Sequence, residues 1–514
     1  MMDKITKWIV FAAVLGLGAL SLSTVKPVKK AKAPNIVYIL ADDLGIGDVS
    51  CYNAEGKIYT PHIDQLAQCG VRFTDAHTSS SVCTPTRYGI LTGRYNWRTT
   101  MKSGVLHGYD TPLIDPKRET IASFMKKQNY ETGIVGKWHL GWDWANREAG
   151  EKYVDFSKPT QNNPNSLGFN YSFCIPASLD MPPYAYVENG LCTTIPVDTC
   201  VGRTGIELLR SGLTAPDFKH EEVLAKFTEK AIGFINRSAN KDKPFFLYFP
   251  LAAPHTPILP IGNFKGKSKV SPYGDFVLMV DDVVKQVVEA LKAQGVYDNT
   301  IIVFTSDNGF APTAKVDMQL AKGHNPSMVY RGFKTDIYEG GHRVPFIVSW
   351  GNKIKKAKIS NQIICSTDLL RTLSDLCNTP LNDQTAEDSF SFWGEIIGKK
   401  TKYPKRESVI HHSSNGFFAI RKDNWKLIMC SHSGGNGKPK ATSEEAKTLP
   451  PVQLYDLATD IRETNNIYDK HPEIVKELTD LLTKYIKNGR TTEGGTQTND
   501  GPESWQQLTW LEKK

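Results

Sequence analysis

Residues 35 to 41, Asn-Ile-Val-Tyr-Ile-Leu-Ala, form an unbroken apolar run that empties straight into Asp42-Asp43. A strand apolar on both faces has to be covered on both, as in a parallel sheet packed between helices. The pattern recurs. Glu119 to Gln128 reads as a helix before a short strand near Ile134-Val135, and His220 to Asn236 as a helix before the strand Pro244 to Phe249. From Tyr273 to Gln294, Phe276, Met279, Val280, Val283, Val284, Val287, Val288 and Leu291 make one apolar stripe at helical spacing. That helix feeds Thr300 to Thr305 and then Pro345 to Trp350. The expected class is therefore α/β, with a mostly parallel sheet between helices.

After about residue 385 the rhythm changes. Ser408 to His412, Phe417 to Arg421, Trp425 to Cys430 and Gln453 to Asp456 are short strands, Ser433 to Pro451 is a loop, and a helix lies near Pro472 to Ile486. This predicts a smaller C-terminal domain, 386–514, with an antiparallel sheet and a helix, beside an N-terminal domain of residues 34–385. At 514 residues the chain is long for one core. Lys4 and Lys7 precede an apolar run from Trp8 to Leu20, so residues 1–23 read as a secretory signal peptide and 24–33 as a tether. The run is short for a membrane span. The expectation is a periplasmic or secreted protein, not held in a membrane once the signal is removed. The net charge of +8 is spread along the chain, and no basic run with interleaved aromatics indicates nucleic acid. Nine cysteines leave pairing open; Cys192 and Cys200 are close enough to close a small loop.

In parallel α/β sheets ligands gather at the carboxyl ends of strands. Asp42-Asp43 ends the first strand, and Ser306-Asp307-Asn308-Gly309 follows Thr300 to Thr305. Adjacent carboxylates repel unless a cation lies between them. Oxygen donors suit a hard cation such as calcium or magnesium; the competing reading is a pair of solvated turns. Lys137 and His139 sit in Gly-Lys-Trp-His-Leu-Gly, two apart, and point the same way if the segment is extended. His255 is bracketed by Pro254 and Pro257, a stiff setting for a general acid.

Residues 83 to 94 read Cys-Thr-Pro-Thr-Arg-Tyr-Gly-Ile-Leu-Thr-Gly-Arg. Cys83 followed by Pro85, Arg87 and Thr92-Gly93 resembles the signature of the type I, formylglycine-dependent sulfatases, in particular bacterial carbohydrate and arylsulfatase-like members. The plain alternative for Cys83 is a buried structural thiol. Six motifs match in family order between Pro34 and the Gln453–Asp460 stretch, including Gly332-Phe333-Lys334 and Glu339-Gly340-Gly341-His342-Arg343-Val344-Pro345. The resemblance implies an alkaline-phosphatase-like core. It implies that Cys83 is oxidised to formylglycine, whose hydrate attacks sulfur, and that Asp42, Asp43, Asp307, Asn308 and the converted Cys83 bind calcium. It implies that Arg87 lowers the pKa of the hydrate and that Lys137 and Lys334 hold the sulfate. His255 would protonate the leaving oxygen, and His139 would take a proton from the second hydroxyl. Arg343 would support the site from behind, and His342 has no evident role. A formylglycine-generating or anaerobic sulfatase-maturating enzyme becomes a required partner.

The expected substrate is a sulfated carbohydrate. Ser178-Leu179-Asp180-Met181-Pro182-Pro183-Tyr184 resembles a loop of carbohydrate-active members, so Asp180 is a candidate for sugar hydroxyls, with a turn Asp as the equal alternative. His107 follows the catalytic segment and is either a pocket residue or a surface histidine. The resemblance leans to sulfated galactose or N-acetylgalactosamine, at the 6-position, from host or algal glycans. Two other readings compete: a phosphoester or phosphonate hydrolase on the same fold, and a secreted glycan-binding protein with an unmodified Cys83.

Overall fold

The computed structural model describes residues 33–351, 353–401 and 404–511. The expected signal peptide and residues 24–32 of the tether lie outside the described residues.

Asn35–Ala41 is the middle of a ten-stranded sheet, and each of its seven residues is buried. Five strands at the centre run parallel, in the order Thr300–Ser306, Asn35–Ala41, Phe245–Pro250, Glu131–Lys137, Tyr171–Ile175. The flanks reverse direction. Phe346–Trp350 and Gly70–Phe73 pair antiparallel on one side, and Val187–Glu188 and Leu191–Cys192 on the other. Alternate residues of the central strand serve opposite cores, as strand geometry requires. Val37, Ile39 and Ala41 pack with the helices Val223–Ala239 and Pro272–Ala293. Ile36, Tyr38 and Leu40 pack with Cys83–Thr92, Ile121–Lys127 and Leu369–Leu376.

The long helix starts where its sequence says it should. Ser271 caps it by accepting from the Gly274 amide at 3.1 Å, and Pro272 fills the first turn, where its missing N–H costs nothing. Its stripe from Phe276 to Leu291 is buried as expected. Glu131–Lys137 is longer than its apolar content suggests, because Thr132, Gly133 and Gly136 interrupt the pattern. Gly133 is there for packing: a Cβ would fall 2.5 Å from the Phe234 ring. The strand Tyr171–Ile175 and the helix Pro61–Gln68 join the elements already expected.

The C-terminal sheet is four-stranded and antiparallel, in the order Ser408–His412, Phe418–Lys422, Trp425–Ile428, Gln453–Asp456. The helix Pro472–Lys487 lays Leu478, Leu482 and Ile486 on it. Tyr95 and Trp97, just past the helix that starts at Cys83, enter the same core, and the chain from Pro34 on is one compact unit. The expected loop after Ser433 holds a short helix, Glu444–Thr448, capped by Ser443. All nine cysteines are free thiols, Cys192 and Cys200 included. Among the described residues no helix is long and apolar enough to cross a membrane.

Candidate active site

Register builds the site. Ala41 is level with Ser306 across the sheet, so Asp42-Asp43 and Asp307-Asn308 leave the same edge side by side. The Asp307 amide donates to the Ala41 carbonyl at 3.1 Å, and the Asp43 amide to Asp307 Oδ1 at 3.2 Å. Asp43 takes a left-handed φ of 64°, a cost tolerated where surrounding bonds over-determine the backbone. Gly309 is obligatory here, since a Cβ would lie 1.9 Å from the Gly340 carbonyl oxygen.

Cations converge on these acids. Arg87, one turn into the Cys83–Thr92 helix, donates through Nε and Nη2 to Asp307 Oδ2 at 3.0 and 2.7 Å. Lys137 Nζ bonds both Asp42 oxygens at 3.0 and 2.8 Å. Lys334 Nζ lies 2.6 Å from Asp43 Oδ1. Burial raises the Asp42 pKa, but Lys137, then His255, Arg87 and Lys334 outweigh it and hold the carboxyl well below the usual range. Asp307 is pushed up to about 6 by burial and by the Asp42 charge. Three buried acids in one place thus repel despite their lysines. Asn308 Oδ1 is buried without a hydrogen-bond partner. An all-oxygen set with an orphaned carbonyl fits a hard divalent cation.

Cys83 opens its helix and is buried. Burial, the largest influence, raises its thiol pKa, against the pull of Lys137 and Lys334. A thiol held protonated is a poor nucleophile.

The two histidines are held in different ways. His139 adopts φ 59°, so the extended segment that would align it with Lys137 ends at Lys137. Its Nε2 lies 2.7 Å from the Leu106 carbonyl, which makes Nε2 the N–H and leaves Nδ1 a bare acceptor; Nδ1 is buried and unpartnered. Burial, Lys137 and Arg87 push its pKa well down. His255 Nδ1 faces the Thr256 carbonyl, and Nε2 looks toward Asp43 Oδ2 at 3.5 Å. The loops at four strand ends and the head of one helix therefore bring Asp42, Asp43, Cys83, Arg87, Lys137, His139, His255, Asp307, Asn308 and Lys334 together.

A family model described as Sulfatase matches residues 34–379, and one described as N-sulphoglucosamine sulphohydrolase, C-terminal, matches 332–488. The chain belongs to the sulfatase family. It is a sulfuric ester hydrolase with the fold expected of one. It is 36% identical to N-acetylgalactosamine-6-O-sulfatase of Bacteroides thetaiotaomicron, over 88% of this chain and 93% of that one. It is 31% identical to human arylsulfatase A, over 92% and 91%. A solved structure bearing on the metabolism of multiple glycosaminoglycans by Bacteroides thetaiotaomicron superposes with a TM-score of 0.77 at 35% identity, covering 88% of this chain and 99% of that one.

The remaining sequence candidates of this sulfatase have distinct settings. Asp180 is buried, ion-paired to Arg210 and electrostatically coupled to His255, and its Oδ1 has no hydrogen-bond partner. His107 is exposed, one residue beyond the carbonyl that fixes His139. Arg343 reaches Asp75 and Glu339, and His342 reaches His77. Three residues had no assigned role in the sequence. Ser178 Oγ sits 3.3 Å from Lys137 Nζ and 3.3 Å from His255 Nε2. Its one sequence signal is its place three residues past the Tyr171–Ile175 strand. Thr84 Oγ1 donates to the His139 carbonyl at 3.0 Å and accepts from the Leu106 amide at 3.2 Å. Arg210, half-exposed beside Asp180, carries no local motif.

Proposed function

We propose that this sulfatase removes a 6-O-sulfate from N-acetylgalactosamine or galactose in a sulfated glycan, with formylglycine at position 83 and calcium held by Asp42, Asp43, Asp307 and Asn308. The observation that carries the chemistry is the burial of Cys83 at a helix head among Lys137, Lys334, Asp42 and Asp307. Formylglycine would supply a hydrated aldehyde as nucleophile there, and calcium a Lewis-acidic charge.

The chain's own residues divide the remaining work. Lys137 and Lys334 neutralise the sulfate oxygens that gain charge. Arg87, locked on Asp307 and on the Lys137 carbonyl, fixes the positions of both. The Thr256 carbonyl takes the Nδ1 proton of His255, so His255 acts as the acid in its imidazolium form, whose second N–H, on Nε2, passes its proton to the departing sugar oxygen. His139 Nδ1, bare and kept neutral, accepts a proton from the nucleophile's hydroxyl. Asp180 Oδ1 is free to accept from a sugar hydroxyl, and the likeness to an N-acetylgalactosamine-6-O-sulfatase supports the sugar and the position. The test is sulfate release from singly sulfated N-acetylgalactosamine and galactose. The 6-sulfates should be cleaved well ahead of the 4-sulfates; preference for another position or sugar refutes the substrate. Turnover of an aryl phosphate as fast as the aryl sulfate would restore the phosphoester reading.

A further inference from the structure

Outside this site a second group of ligating atoms is closed off from solvent. His77, His342, His411 and Glu339 are all buried and set their donor atoms within 4.8 Å of one another. We propose that they form a structural site for a borderline divalent transition metal, with zinc as the fitting ion.

Ring orientation is the first argument. His77 Nε2 lies 2.7 Å from Asp75 Oδ1, and His342 Nε2 lies 3.2 Å from the Ile337 carbonyl. Each outer nitrogen has an acceptor beside it, the arrangement that fixes an imidazole for ligation through the other nitrogen, and each also has a donor beside it, Arg421 Nη1 at 3.3 Å from His77 Nε2 and Lys426 Nζ at 3.2 Å from His342 Nε2. The two inner Nδ1 atoms then meet at 3.1 Å with lone pairs facing. Tetrahedral zinc with Zn–N of about 2.0–2.1 Å places two nitrogens about 3.3 Å apart.

The second argument is what stays unsatisfied without an ion. A proton between His77 and His342, with Lys426 Nζ donating to His342 Nε2 at 3.2 Å, would satisfy that pair alone. His411 would still have both ring nitrogens buried and unpartnered, and Glu339 Oε2 would still lack a hydrogen bond. An orphaned buried polar atom keeps the full penalty of its desolvation. The His411 ring stacks almost parallel on His342 at 3.6 Å with its donor atoms within 4.8 Å of the others, so His411 has to turn out of that stack to share an ion with His342. Lys426 does not need the imidazole, because Glu339 Oε1 accepts from it at 3.1 Å and Glu463 Oε1 lies 2.7 Å away as an ion-pair partner. Asp75 and Glu339 offset part of the charge of Arg343, Arg421 and Lys426 around the cluster. Three nitrogens and one carboxylate select zinc over calcium.

The site would tie together three segments that carry the chemistry. His77 precedes Cys83, Glu339 and His342 follow Lys334, and His411 belongs to the C-terminal sheet. The Thr78 amide already bonds the His342 carbonyl at 2.8 Å, and the Ser81 amide the His412 carbonyl at 3.0 Å.

The experiment is metal analysis of the full chain, purified without a metal column, incubated with zinc and excess calcium, and desalted. Excess calcium and a parallel His255→Ala protein keep the Asp42 and Asp43 oxygens and the His255 nitrogen from accounting for bound zinc. About one zinc per chain is expected, retained in His255→Ala and lost in His411→Ala and His342→Gln. Zinc should raise the Tm of the wild type and not of those two variants. Cobalt(II) put in its place should give the visible absorption of a tetrahedral ion. Folded wild-type protein that retains no zinc, or zinc retained equally by the His411→Ala and His342→Gln proteins, overturns the proposal. If either variant fails to fold, absence of zinc and of the cobalt band in the wild type decides against it.

Discussion

At the scale of single residues, the account separates groups that act on the leaving oxygen from groups that hold the sulfate. A sugar alcohol leaves only with a proton, whereas an activated phenolate leaves without one. His255→Ala should therefore lose about 10²–10⁴-fold in kcat/KM on a sulfated sugar and far less on a nitrophenyl sulfate. Lys137→Ala should hurt both substrates alike, because its Nζ answers to the sulfate and to Asp42. Equal losses for His255→Ala on the two substrates would remove it from the acid role. These residues were legible because each sits in a short motif at a strand end or helix head. Ser178 and Thr84 act through hydroxyls that any loop might carry, and only the folded chain shows that one bridges Lys137 to His255 and the other anchors His139. Arg210 lies 30 residues from Asp180 in sequence, and nothing local links them.

At the scale of elements, the strand ends matter more than the strands. Asp42, Asp43, Asp307 and Asn308 offer only oxygens, so metal analysis and chelation should find calcium, about one per chain, as the ion whose removal and return tracks activity. Asp307→Asn should weaken that dependence and also release Arg87. Activity that follows zinc at this site would refute the assignment. Gly136 is the tightest point of the strand that delivers Lys137. It has φ 135°, and a Cβ would lie 1.8 Å from the Pro250 carbonyl oxygen. Gly136→Ala should lower Tm and activity together, through both strain and steric conflict. The apolar runs made the central strands readable. Glu131–Lys137 was readable only in its middle, because the glycines that let it pack against Phe234 and Pro250 also dilute its pattern. Tyr171–Ile175 reads Tyr-Ser-Phe-Cys-Ile, too short and mixed to stand out.

At the scale of the whole molecule, the C-terminal sheet is part of the catalytic apparatus's support. Arg421, on the Phe418–Lys422 strand, donates to Asp75 Oδ1 at 2.7 Å, and Ser80 Oγ donates to the His412 carbonyl at 2.8 Å. The guanidinium of Arg406 spans Asp368 and the Asp388 carbonyl, burying charge that needs every partner. A chain ended after residue 385 should therefore fail to give soluble, active protein; an active fragment would show that the sheet is dispensable. The composition shift near that residue predicted a change from parallel to antiparallel pairing, which the structure has, but not the buried ion pairs that knit the two together. The Arg421–Asp75 pair joins residues 346 apart and leaves no periodic trace.

The central claim is that Cys83, once converted to formylglycine, is the nucleophile for a sugar 6-sulfate. The most direct measurement follows kcat on N-acetylgalactosamine 6-sulfate across preparations made with and without a maturation enzyme, against the fraction of the position-83 peptide found at the formylglycine mass. The account predicts a straight line through zero, with Cys83→Ala folded and at the origin. Full turnover by unconverted protein, or by Cys83→Ala, would contradict it.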